Sequence, residues 1–500
     1  MKIPFQLKLQ NKMKTVEILF LATGLLCMAA LAKIPQEQGT GPAKEEPEYD
    51  RLVVAVSISG IPEDDRELML EQLNEITKRK LGIQVELAAP SDYNNRVNLM
   101  LAGNEQLDIV LASSNMFLEN YMNSKLAAID ELLKKYGQGI IGQVGKAAID
   151  ACRINGRLYG VPNNRDYAAG SNAYMLRKDI LDKYGIDPDE IRSMEDLEKV
   201  FDTVKKGEPD MTVLASGAGT MLAHLYFTLG GGLRVGAHMD YGRDDELVNL
   251  YETQEYLDAL LMVRRWYMRG YLDQDILGQT ENLFTRVRNG ELFAYTTKGR
   301  PGLIAQEEIG SGREMVCVQF GENAISYNSI ASFQWAITQN TVSAEKSMKL
   351  LNLFYTDADI MNLLCYGVEG VHYVKTEDGH ITYADEEKGN PFVNNAWKMP
   401  NQFITHVWEG NPLTLWKDMR EFNENAIHCC DLGFNFDVSK VSTEYAVLNE
   451  IYSRYKQVLE NGLVNPREGL KAMNKEMKDN GIDEVIEKKR QQYEEWKTRK

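Results

Sequence analysis

The sequence predicts an α/β protein whose ordered part opens on a parallel sheet. Three observations carry this. Residues 52–58 (LVVAVSI) are a nearly unbroken apolar run, as expected of a strand buried on both faces. They open a β-α-β-α-β succession, the pattern of an open parallel sheet. At 500 residues, with 44% hydrophobic and 26% charged side chains, the chain is globular in composition and too long for one ordinary domain.

The elements follow in order. Gly60-Ile61-Pro62 breaks the first strand. A helix starts at Glu63, with Glu63, Asp64 and Asp65 in its first turn and Lys78, Arg79 and Lys80 in its last, the charge order that suits the helix dipole. Leu81-Gly82 ends it, and residues 83–87 (IQVEL) are the next strand. Ser91 is placed to cap a helix running to Gly103, and residues 108–112 (DIVLA) are the third strand. Helix-rich sequence follows. Ser193-Met194-Glu195-Asp196 is a capping signal, residues 256–268 show a helical apolar face with Trp266 on the core side, and Ser343 caps another helix. Residues 332–337 (SFQWAI) read as a late strand. The last stretch, 466–500, is a pair of amphipathic helices broken at Asn480-Gly481.

The first 32 residues read as a secretory signal. Lys2, Lys8, Lys12 and Lys14 make a positive start, and residues 18–32 carry no charge. Ala30-Leu31-Ala32 offers a cleavage site, Cys27 is a candidate for lipidation although Leu26 precedes it where a small residue is expected, and Met13 is an alternative start to Met1. Residues 33–48, rich in Pro, Gly, Gln and Glu, are a flexible linker. The formal charge is −17, and without 1–32 the chain carries 52 basic and 72 acidic residues, a charge of −20. Such a chain repels phosphate backbones, so no nucleic-acid partner is expected. The cysteines lack CxxC spacing, so no disulfide framework is indicated.

Catalytic and metal signatures are missing. There is no HExxH, GxSxG, GxxxxGK[ST] or EF-hand loop. Ser343-Ala344-Glu345-Lys346 matches SxxK, without the companion motifs, and is read as a helix cap. The six histidines show no i,i+4 pairing, so no metal and no cofactor are expected.

Several segments in succession carry a resemblance. They are 93–109 (YNNRVNLMLAGNEQLDI), 125–133 (KLAAIDELL), 155–162 (NGRLYGVP), 176–186 (LRKDILDKYGI) and 289–294 (NGELFA). In this order they resemble the family 1 extracellular solute-binding proteins of bacterial ABC importers. Residues 366–373 (YGVEGVHY) and 480–493 look like the domain of unknown function appended to a Gram-positive branch. The resemblance implies a two-lobed periplasmic-binding-protein-like fold of type II, closing by a hinge. It places 50–163 and 318–372 in lobe 1, and 167–315 and 400–500 in lobe 2. It implies capture of a small solute, a sugar or oligosaccharide, without catalysis, and delivery to ABC permease subunits from a secreted, cell-surface position. Membrane contact would be confined to the N-terminal anchor. The alternatives are an extracellular polysaccharide-active enzyme and a non-transport surface sensor.

Open parallel sheets bind ligands at their strands' carboxyl ends. Ser59 and Asn115 lie at such ends, and Asn164 and Asp166 lie where the resemblance places the first crossing between lobes. Tyr226, Tyr295 and Trp335 are the rings favoured for stacking on a sugar face. These seven residues are expected in one interlobe cleft. The segment 294–299 lacks the tryptophan found there in several sugar binders.

Overall fold

Three parallel strands open the described part of the chain in the computed structural model, which describes residues 49–58, 60–225, 228–229 and 235–499. The signal and linker assignments at 1–48, and the candidate residues Ser59 and Tyr226, lie outside the described residues.

The strands are β1 (Asp50–Ala55), β2 (Ile83–Ala88), β3 (Ile109–Ser113), β4 (Val161–Pro162), β5 (Ala169–Arg177), β6 (Thr212–Ala215), β7 (Thr228–Leu229), β8 (Ala237–His238), β9 (Leu292–Gly299), β10 (Met315–Gln319), β11 (Asn323–Ile325), β12 (Phe333–Ile337), β13 (Tyr373–Lys375), β14 (Ile381–Tyr383) and β15 (Ile427–His428). The first sheet has the order β2-β1-β3-β12-β4, with β1 parallel to β2 and β3, and β12 antiparallel to β3 and β4. The second has the order β15-β11-β5-β9-β6, with β10 also on β5. Two small hairpins, β7-β8 and β13-β14, complete the strands.

Each sheet anchors its own core. Leu52, Val54, Leu111, Trp335 and Ile337 pack against Leu73, Leu351 and Phe354 beside the first sheet. Tyr174, Phe201, Leu214, Trp266 and Phe293 pack beside the second, together with Leu448, Met473 and Val485 of the last helices. The opening helix, Glu63–Leu81, has its three first-turn acids and three last-turn bases and closes on left-handed Gly82. Ser193 and Ser343 each accept the backbone N–H three residues on. The helix from Tyr93 is preceded by Asp92, not capped by Ser91. The terminal pair is Pro466–Asp479 and Ile482–Arg499.

The lobe boundaries differ from expectation in two places. Residues 318–325 lie on the second sheet, because Val318 pairs with Tyr174 and Ala324 with Ala169, so the chain recrosses between Ser326 and Phe333. Residues 400–426 stay largely with the first core. Asn401 donates to the Tyr355 carbonyl, Thr405 bonds Tyr366, and Ala426 packs in the first cluster. From Val441 to Ile486 the buried apolar residues belong to the second. Among the described residues no helix is long and apolar enough to cross a membrane.

Candidate functional site

Both sheets turn carboxyl ends toward the crossings. β4 runs directly into the segment 163–168, and Ser113 at the end of β3 pairs with Phe333, where the chain returns. On the other side, Arg300 follows the end of β9, and its Nε lies 3.3 Å from the Asp166 carboxylate.

The first crossing is held rigidly by side-chain amides. Asn164 is 3% exposed and donates to the Gln143 carbonyl and to Asn401 Oδ1, both at 3.0 Å. Its backbone bonds both Pro400 and Gln402. Asn423 Oδ1 accepts from the N–H groups of Tyr167 and Ala168 at 2.9 Å, while its Nδ2 donates to the Arg165 carbonyl. These buried backbone groups thus have partners away from the sheets. Arg165 donates to Ser332 Oγ at 2.8 Å, which ties the two crossings together. The Asp166 carboxylate sits between the Arg165 and Arg300 guanidiniums.

At the end of the first sheet, Trp397 presents a ring that is 42% exposed. It meets Phe333 edge to face, with centroids 5.0 Å apart. Its backbone carbonyl accepts from Asn163 Nδ2 at 2.6 Å. The neighbouring Lys398 ammonium donates to the Ser57 carbonyl at 2.7 Å, and partial burial holds its pKa below the ordinary lysine value. Asn115 is exposed on the first turn of the helix Ser114–Met122.

At the end of the second sheet lies a cavity of about 380 Å³. Its lining includes Gly217 and Ala218 after β6, Tyr295 to Lys298 of β9, His224 and Glu307. Gly217 is required there, since a Cβ would collide with the Thr296 carbonyl oxygen. Tyr295 is 3% exposed and its hydroxyl donates to the Glu307 carboxylate. Burial raises the pKa of both groups. His224 Nε2 meets the Tyr174 hydroxyl at 3.0 Å, and burial pushes its pKa down to about 3, so it is neutral at pH 7.

The expected residues therefore divide. Asp166 lies at the crossing with its carboxylate engaged by two cations. Asn164 lies there too, as a structural tie. Tyr295 lines the second-sheet cavity with its hydroxyl already used. Asn115 lies at the end of β3. Trp335 is corrected: it is 1% exposed, and its Nε1 donates to the Lys398 carbonyl at 3.3 Å, so its ring is core and shows no face to a ligand. A ring with an accessible face is Trp397, which the sequence did not single out. Its only signal is position in an irregular, asparagine-rich segment, where a tryptophan belongs to no apolar stripe.

Residues 431–498 match DUF3502, a domain of unknown function. A carbohydrate ABC transporter substrate-binding protein of Streptococcus pneumoniae serotype 4 is 24% identical over 462 residues, 89% of this chain and 91% of its own length. The polygalacturonan/rhamnogalacturonan-binding protein YtcQ of Bacillus subtilis is 22% identical over 398 residues, 74% and 76% of the two chains. The N-glycan transport solute-binding protein NgtS of Streptococcus pneumoniae superposes with a TM-score of 0.81 at 22% identity, covering 90% of this chain and 100% of its own. NgtS is also solved in complex with Man5GlcNAc, where the TM-score is 0.71. In fold, this chain matches the two-lobed solute-binding proteins, with the DUF3502 match at residues 431–498.

Proposed function

We propose that the protein is the extracellular solute-binding component of a carbohydrate ABC importer. It captures an oligosaccharide between its lobes and presents it to membrane permease subunits. What supports this reading is the half-exposed Trp397 ring at the carboxyl ends of the first sheet's parallel strands, in a fold whose relatives are named for carbohydrates, N-glycans and polygalacturonan or rhamnogalacturonan. The ring supplies an apolar face for a pyranose. Asp166, Arg165, Arg300 and the serines near the crossing supply hydrogen bonds to hydroxyls. Closure would then be the selection of a lobe arrangement in which both sheet ends touch the sugar.

The Asp166 carboxylate favours binding over hydrolysis, because two guanidiniums engage it. A glycosidase needs one carboxyl available as acid and a second as base or nucleophile. Export through the N-terminal signal, with Cys27 as an anchor, belongs to the same reading.

The test is calorimetry and thermal shift of the mature protein against Man5GlcNAc, pectic fragments, amino acids and peptides. Saturable binding of a saccharide, with a raised melting temperature and no new reducing ends on prolonged incubation, is expected. A panel in which only amino acids or peptides bind overturns the carbohydrate reading, and released reducing ends overturn the non-catalytic one.

A further inference from the structure

A second and larger concavity, of about 1330 Å³, separates lobe 1 helices from the C-terminal domain. That exceeds the roughly 300–1,000 Å³ of a site for a drug-sized molecule, so it has room for an extended one. One wall comes from Tyr121, the helix Lys146–Ala151 and the Asn155-Gly156 turn, the other from residues 432–440 and the last helix.

The walls are ordered. Gln492 both donates to and accepts from the Asp437 backbone at 2.9 Å, which fixes the loop leading to Lys440. Tyr493 stacks on Trp496 with centroids 5.6 Å apart, and Phe434 packs edge-on to Tyr493. Trp496 is thereby braced on one side and half-buried while it lines the groove. Opposite, Tyr121 is braced edge-on by Tyr159 at 4.8 Å. Rings held in this way lose little freedom when a sugar face stacks on them.

The groove has an unusual charge for a chain of −17: five cationic and three anionic side chains line it. Asp150 is taken by Lys146 and Arg153, and Glu495 by Arg499. Lys440 and Lys488 form no ion pair among the described residues. Asp437, the third acid, is in no ion pair either, so the five cations leave a net excess of two positive charges beside braced rings, which matches a sugar polymer that carries carboxylates.

We propose that this groove binds an acidic oligosaccharide, one bearing uronate carboxylates, and that the DUF3502 domain serves as its aromatic and cationic wall. This rests on the saccharide-binding reading above and adds to it a second saccharide surface, lined by none of the residues of the crossing.

The test is calorimetry on the full mature chain, with trigalacturonate, Man5GlcNAc and a tetra-aspartate peptide as probes. Trigalacturonate should bind, more weakly as salt rises. The Lys440→Ala/Lys488→Ala double variant should lose about 10-fold or more in affinity for it, since hydrogen bonds to charged groups are at stake. Both lysines lie at the surface of the groove, so folding should be unaffected. Trp496→Ala should weaken trigalacturonate binding as well. Equal affinity of wild type and double variant for trigalacturonate overturns the proposal. So does tetra-aspartate binding as tight as trigalacturonate, which would make the groove a peptide or general anion surface. Binding of Man5GlcNAc with none of trigalacturonate overturns this inference alone, whereas binding of no saccharide overturns it together with the reading it rests on.

Discussion

Replacing Trp397 by alanine should weaken saccharide binding roughly 10- to 70-fold and leave the fold nearly intact. The magnitude follows from its position. The ring is 42% exposed. A tryptophan offers up to about 250 Å², so about 100 Å² remains for a ligand to cover. At about 25 cal/mol per Å², full coverage contributes about 2.5 kcal/mol, and coverage of one face about half of that. Its contacts include an edge-to-face approach to Phe333 and the Lys398 ammonium 5.6 Å from the ring centroid. These are rim contacts, so the melting temperature should fall by a few degrees at most. The assay is calorimetry with Man5GlcNAc, or the saccharide that the panel identifies, alongside thermal melting of the same samples. Trp397→Phe should fall between wild type and alanine, because it keeps part of the apolar face. Unchanged affinity in the alanine variant would refute the argument. So would a drop in melting temperature of more than about 10 °C with affinity retained, which would make the ring structural.

Trp335→Ala should do the opposite, costing about 3–5 kcal/mol of stability with no specific effect on ligand affinity, as chemical denaturation and calorimetry together would show. Gly217→Ala should destabilise the protein or displace the loop after β6, because the added methyl meets the Thr296 carbonyl oxygen; thermal melting checks the first and a crystal structure the second. Lys489 is fully buried, donates to the Val235 and Gly236 carbonyls, and has its pKa pushed down to about 8 by burial. The unfolded chain then holds this proton more tightly between about pH 8 and 10.5, so this residue's contribution makes stability rise with pH across that window, by roughly 3 kcal/mol in all. Denaturation of wild type and Lys489→Met at pH 8, 9 and 10 measures it, and equal slopes in the two proteins would exclude it.

Regular elements were legible because their signals are local. A strand buried on both faces must be apolar throughout, and residues 52–55 of the first strand meet that need within a few positions. The break at Asn480-Gly481 was equally plain, since glycine there takes a left-handed backbone, with φ of 86°. The return crossing was not legible. β10 is five residues long, and it joins the second sheet only by pairing with residues about 140 positions earlier. Nothing in Met315–Gln319 announces that partner.

The aromatic residues show the same limit more sharply. Phe333, Trp335 and Ile337 alternate on one strand, so the pattern marks Trp335 as apolar-facing without saying what covers it. The cover comes from Lys398 and its neighbours, about sixty residues later, and it leaves Trp397 as the ring with the open face. Tyr295 likewise sits on a regular strand, and its hydroxyl is taken by Glu307, twelve residues on. Rings on regular strands inherit the burial of the sheet, whereas a ring in an irregular segment beyond a sheet's carboxyl end is placed by its tether and can face the cleft. On that argument Trp335 and Trp397, both apolar and only a few contacts apart, should separate cleanly: one governs stability and the other affinity. A pair that moved both properties together would mean that the crossing segment and the site are one mechanical unit.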